Sequence, residues 1–182
     1  KVYLVEADDA AGLMEAKRLI RQIYNIGKDS VHINDTHEET LRIAKSVFND
    51  NSIHFLNKCN PKYLANFERY LPEYSDWLAA NSMNSDHFCI DASAVLSSYG
   101  LRDCRDLDFL YLGDFINTGR DDFSCHNHET KYYPMHKDEV IVNPANHFYH
   151  KGLKFASPWV IKSMKQIRCE EKDLKDIQLL NS

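Results

Sequence analysis

No stretch of this chain stays apolar for the roughly 20 residues that a bilayer-spanning helix needs, so a membrane protein is not expected. Nothing resembles a signal peptide, and the chain begins at Lys1 rather than at Met, as a piece of a longer protein would. A basic excess is lacking too. Lys and Arg number 22 against 27 Asp and Glu, a net charge of -5. Proteins that grip a phosphate backbone usually carry the opposite balance, which argues against long nucleic acid and for small substrates. The five cysteines, Cys59, Cys89, Cys104, Cys125 and Cys169, are odd in number and scattered, with no CxxC spacing. This argues against a zinc ribbon or a disulfide framework and leaves reduced thiols in a cytoplasmic setting as the expectation. Internal repeats and low-complexity tracts are absent. Gly27-Lys28-Asp29-Ser30 has the tail of a phosphate loop but not its head, because residues 21–26 contain no glycine. His32, Asp35, His37 and Glu38 crowd together, yet match no H-E-x-x-H pattern, and a helix cap accounts for the segment without metal.

What is present is an ordinary globular mixture, 43% hydrophobic and 27% charged over 182 residues. Apolar spacing divides it into a mostly helical segment, residues 1–84, and a mixed segment, residues 85–182. In the first, residues 1–5 read as a short extended start. Residues 10–24 read as a helix with Leu13, Ala16, Leu19, Ile20 and Ile23 on one face. Thr36 and Glu39 suit the start of a second helix. Residues 49–52 read as a turn, and 63–70 and 77–81 as two further helices. In the second segment, residues 87–91 read as a strand and 92–99 as a helix closed by Gly100. Residues 107–112 form a second strand, 113–128 a polar loop, and 139–142 a third strand. A hairpin follows, turning at Lys151-Gly152. Ser157-Pro158 opens the closing helices. The expected class is α+β: a small mixed sheet flanked by helices, behind an N-terminal helical segment.

The most informative stretch is Arg105-Asp106-Leu107-Asp108-Phe109-Leu110. On a strand, residues two apart share a face, so Asp106 and Asp108 point together while Leu107 and Phe109 point away. Paired carboxylates repel unless something offsets their charge. A divalent cation does so, and Mg2+ in particular favours one or two carboxylates plus substrate phosphates. The histidines His126, His128, His136, His147 and His150 fall in loop-rich sequence and read mostly as surface residues, with one of them, which the sequence does not single out, a candidate for substrate contact.

Ile90-Asp91-Ala92-Ser93-Ala94-Val95-Leu96, Tyr99-Gly100-Leu101-Arg102 and Asp106-Leu107-Asp108 together resemble the signature of the DNA polymerase beta nucleotidyltransferase superfamily. That signature is a strand, a Gly-Gly or Gly-Ser opening a helix, and a D-x-D strand about a dozen residues on; Ser93 and Asp106 stand 13 positions apart. Ser157-Pro158, Lys165, Arg168, Lys172-Asp173 and Asp176 are similar to the tail of small bacterial members. The resemblance covers about half the chain. It implies a metal-dependent nucleotidyltransferase that moves a nucleoside monophosphate from a triphosphate to a small acceptor. Asp106 and Asp108 would hold Mg2+, and Asp138 or Glu139 would complete the metal site or deprotonate the nucleophile. Ser93, Arg102 and Lys165 would bind substrate. Ala92 departs from the pattern, standing where the family has glycine. The alternative is a nucleotidyltransferase-like domain without catalysis, serving as a binding or assembly module among other domains of a longer chain. A histidine-based metal hydrolase is a third possibility.

Overall fold

The computed structural model describes residues 1–181. The chain forms an α+β structure in two compact units, Lys1–Val47 and Phe48–Ser182. No helix among the described residues is long and apolar enough to cross a membrane.

The first unit holds helix α1, Ala10–Tyr24, and helix α2, His37–Val47. Asp9 caps α1 by accepting the Gly12 N–H, and Asn25 ends it in the left-handed region at φ 51°. The Glu39 N–H donates to Thr36 Oγ1 at 3.1 Å, the cap that the sequence suggests at the start of α2. Between the helices Lys17 is buried, its Nζ donating to Asp35 Oδ1 and the Ile33 carbonyl at 3.0 Å each. Residues 1–5 take no strand conformation; Val2, Tyr3, Leu4 and Val5 are exposed.

The second unit is built on a five-stranded mixed sheet. Its strands are β1 (Phe88–Ile90), β2 (Leu107–Tyr111), β3 (Phe123–Cys125), β4 (His147–His150) and β5 (Leu153–Ala156), in the order β3-β2-β1-β5-β4. β1 runs antiparallel to β2 and parallel to β5. β3 lies parallel to β2, with Asp108 opposite Ser124. β4 and β5 form the expected hairpin. The sheet's strands are buried, apart from residues at the ends of β2 and β4 and in the middle of β3. This explains why Phe88, Cys89 and Ile90 form an unbroken apolar run.

Helices α3 (Asp50–Lys58) and α4 (Ala65–Ala80) bring Phe55, Phe67, Tyr70, Leu71, Tyr74 and Leu78 into this core. The expected turn at residues 49–52 is instead the start of α3, with Asn49 Oδ1 accepting the Ser52 N–H at 2.7 Å. The two helices read over 63–81 are one. Pro72 lies inside α4, on its exposed side, so the hydrogen bond that proline cannot donate is lost toward solvent. Helix α5, Ala92–Ser98, follows β1 directly and is buried on nearly every side. It ends where expected. Gly100 sits at φ 73°, and a side chain there would bring Cβ to 1.8 Å from the Asn60 carbonyl oxygen.

The expected third strand over 139–142 is helix α6, Lys137–Val142. β-branched Val140-Ile141-Val142 favours a strand locally, but tertiary partners satisfy the carbonyls of a short helix. Asn146 Nδ2 donates to the Glu139 carbonyl, His147 Nδ1 lies 2.9 Å from that of Val140, and Lys154 Nζ donates to that of Ile141. Helices α7 (Pro158–Arg168) and α8 (Glu171–Leu180) close the unit.

Candidate active site

A cavity of about 1100 Å³ opens beside the C-terminal end of β1 and the N-terminal end of β2, and its lining joins these ends to α7 and α8. That is slightly above the usual volume of ligand clefts, ~300–1,000 Å³. One part of the lining is Ser93, Asp106, Asp108, Ser124 and His126; another is Arg102, Arg105, Lys165, Arg168, Lys172 and Lys175. Five residues expected at a site therefore share one cavity: Ser93, Arg102, Asp106, Asp108 and Lys165. Asp138 and Glu139 do not line it. They lie in the first turn of α6, where Asp138 is half-exposed and pairs with Lys137 Nζ at 3.0 Å.

Asp108 is brought into place by β2, whose alternation sends Leu107 and Phe109 into the core. Asp106 precedes the strand and is half-buried. The Asp108 carboxylate meets His126, whose Nε2 lies 3.0 Å from Asp108 Oδ1. The other ring nitrogen, Nδ1, lies 3.5 Å from Oδ1 of Asp91, which follows β1 and is fully buried. The Tyr133 hydroxyl donates to Asp91 Oδ2. Among the described residues, none donates a hydrogen bond to Asp91 Oδ1. One ligand atom each from Asp91, Asp108 and His126 falls within 4.8 Å of the others, the spacing of a metal-binding group.

His126 is held there by its neighbour. Asn127 Oδ1 accepts the Tyr111 N–H, and Asn127 Nδ2 donates to the carbonyls of Tyr111, Gly113 and Asp114. The amide thus extends the edge of β2 and pins the returning loop. The electrostatics follow from this enclosure. Burial disfavours a charge on His126, but the flanking Asp91 and Asp108 carboxylates outweigh it and push its pKa up to about 11. Burial, with Asp91 and Asp106 adding to it, raises the Asp108 carboxyl, while His126 pulls it down.

The expected cations are engaged within the fold. Arg102 donates from Nε and a terminal nitrogen to both oxygens of Asp176, at 2.6 and 2.7 Å. Lys165 Nζ lies 3.1 Å from Asp173 Oδ1 and 2.7 Å from Asp176 Oδ2. Arg168 forks onto Asp173. The charged tail of the sequence is therefore an internal network tying α8 to α7 and to the loop after α5.

Asp91, His126 and Tyr133 were not singled out from the sequence. Within the stretch read as polar loop, Phe123 and Cys125 stand two apart, the alternation of a short strand that delivers His126 to the end of β2. That was the available signal. Comparison with protein-family models, with curated proteins and with solved structures finds no match to this chain.

Proposed function

We propose that this cavity is a nucleotidyl-transfer site, in which an acceptor hydroxyl or phosphate attacks the α-phosphate of a nucleoside triphosphate and pyrophosphate leaves. The observation that carries this reading is the single cavity gathering Ser93, Asp106 and Asp108 together with Arg102, Arg105 and Lys165. Carboxylate oxygens suit Mg2+, which usually takes one or two of them together with substrate phosphates. Asp106 and Asp108 would hold it, and when bound it would neutralise charge on the reacting phosphates. The chain's own part is placement. Arg105 and Lys175 face the cavity and suit the outer phosphates, while Ser93 suits a phosphate oxygen close to the acids. Arg102 and Lys165, locked onto Asp173 and Asp176, keep that side of the cavity rigid so that little reorganises on binding. Five free thiols fit a cytoplasmic setting. A small acceptor fits the acidic chain better than long nucleic acid does.

The test is incubation with Mg2+, each labelled nucleoside triphosphate and a panel of sugars, sugar phosphates and RNA, with pyrophosphate release as the readout. Release that vanishes in Asp106→Asn and in Asp108→Asn supports the reading; release that survives both substitutions removes it. One observation favours the second reading, a binding module without turnover: Asp108 is already paired with His126, and Asp138 and Glu139 stand outside the cavity. In that case Mg2+ and a triphosphate together would raise the melting temperature without pyrophosphate release.

A further inference from the structure

The third expected acid does not reach the cavity, and an imidazole occupies the space beside Asp108 instead. His126 Nε2 stands 3.0 Å from Asp108 Oδ1, and both residues line the cavity. Its other nitrogen faces Asp91, which is fully buried and whose Oδ1 accepts no hydrogen bond from the described residues although Nδ1 is only 3.5 Å away. A fully buried carboxylate oxygen without a hydrogen bond is costly unless a charge or donor completes it. The Tyr133 hydroxyl fixes the other oxygen of the same carboxylate, which holds the group in one orientation.

We infer that His126 Nε2 and Asp108 bind a divalent first-row transition ion, Zn2+ in preference to Mg2+, with Asp91 as the buried acceptor that orients the imidazole. A ring that ligates a metal through one nitrogen almost always donates the other N–H to a carboxylate or carbonyl, and Asp91 Oδ1, 3.5 Å from Nδ1, is placed to become that acceptor. The ion takes the place of the Nε2 proton. Asp106 lines the same cavity. The choice of metal follows from the donors. Imidazole nitrogen suits Zn2+ and its neighbours, whereas Mg2+ prefers an all-oxygen shell and loses its waters reluctantly. The inference takes from the nucleotidyl-transfer reading the idea that this cavity is the reacting site, but the ion would bind with no nucleotide present.

The experiment is calorimetric titration of the chelator-treated chain with ZnCl2 alone, and again in Mg2+ at roughly a hundredfold excess, a margin set by the donor preference. The expected result is one Zn2+ per chain, retained in the excess of Mg2+. Asp91→Asn, which acts through the ring and does not touch the ion, should weaken Zn2+ by ~10–100-fold. His126→Gln should weaken it further. His126→Asp creates an all-oxygen set and should move the preference toward Mg2+. Zn2+ that binds no more tightly than Mg2+ to the unaltered chain would overturn the inference, and so would Zn2+ binding unchanged in a folded His126→Gln. If the variants do not fold, the competition on the unaltered chain still decides. So does the visible spectrum of the Co2+-loaded chain, in which an imidazole ligand is expected and an all-oxygen shell would count against the inference. Tight Zn2+ binding without pyrophosphate release under any metal supports this inference while removing nucleotidyl transfer. Release that needs Mg2+, with no preference for Zn2+, does the reverse.

Discussion

Lys165 Nζ lies 2.7 Å from Asp176 Oδ2, and the two side chains are only 2% and 4% exposed. Asp176 also receives the Arg102 fork, and Lys165 also reaches Asp173, which Arg168 holds from its other side. The five form a chain in which each acid serves two cations. Removing an acid therefore strands more charge than removing the lysine does.

That asymmetry gives the first prediction. Asp176→Ala leaves Lys165 with one partner and Arg102 with no carboxylate in this network. Breaking a buried pair from one side costs ~3–5 kcal/mol, and Arg102 is partly exposed, so a loss near 3 kcal/mol, at the low end of that range, is expected. Lys165→Met leaves each acid its own arginine and should cost less than half as much. Urea denaturation of the two variants checks the order. An equal or larger loss for Lys165→Met would mean that the lysine, not the acids, holds α8 in place.

Ala92 is a non-glycine residue at φ 48°, buried at the start of α5. The left-handed conformation costs an alanine ~1–2 kcal/mol. Glycine would relieve that, but would lose ~0.8 kcal/mol of methyl burial and roughly 0.5–1 kcal/mol in backbone entropy. The terms nearly cancel, so Ala92→Gly should leave stability within ~0.5 kcal/mol of the starting value. Ala94, fully buried two residues later, has no strain to relieve. There the methyl and helix-propensity losses add, and Ala94→Gly should cost about 2 kcal/mol. Thermal melts of the pair provide the comparison, and similar losses at both positions would contradict the strain at Ala92.

Asp103 caps a helix that begins far from it in sequence. Its Oδ2 accepts the Asn66 N–H at 3.0 Å and its Oδ1 the Phe67 N–H at 3.1 Å. Both are first-turn donors of α4, which has no cap of its own at Leu64. Asp103→Ala should cost ~1–2 kcal/mol, the upper range for a lost cap. Asp103→Asn, which keeps one acceptor, should cost less. Amide exchange at Asn66 and Phe67 is the sharper readout: faster exchange in Asp103→Ala is expected, and unchanged protection there would mean that the cap contributes nothing.

The same contact shows where the sequence was legible and where it was not. Features written within a few neighbouring residues could be read: the D-x-D strand, Gly100 closing α5, the hairpin at Lys151-Gly152, and Ser157-Pro158 opening α7. Features completed by distant partners could not. The start of α4 depends on Asp103, and α6 depends on Asn146, His147 and Lys154 holding its carbonyls. β3 is only three residues long and exists because β2 offers an edge. The site followed the same division. Asp106 and Asp108, singled out by spacing, line the same cavity, whereas His126 reaches Asp108 only through β3 and the Asn127 clamp. His147 and His150, read as surface residues, are largely buried because the hairpin that carries them packs against α3.

His150 supplies a pH dependence. It packs against the rings of Phe55 and Phe155, at centroid distances of 4.9 and 5.9 Å. Burial, with Lys151 beside it, lowers its pKa from 6.5 to about 4, and Glu68 only partly opposes this. The unfolded chain therefore binds this proton more readily than the folded one. The stability that the neutral ring contributes is fully present above pH 6.5. It begins to fall below that and is lost as the pH drops through about 4. A displacement of this size is worth on the order of 2–3 kcal/mol after allowance for the ring's partial exposure. Asp173, its carboxyl drawn down to about 2 by Arg168 and Lys165 against the effect of burial, also loses its contribution in acid, but at lower pH. The informative quantity is therefore a difference between two chains. His150→Phe keeps a ring in the aromatic cluster and removes the titration. Between pH 7 and pH 4.5 the unaltered chain should lose ~2 kcal/mol more than the variant, measured as the shift in urea midpoint. Parallel stability curves for the two chains across that interval would show that His150 is protonated in the folded state at no cost, and that its aromatic surroundings do not exclude the charge.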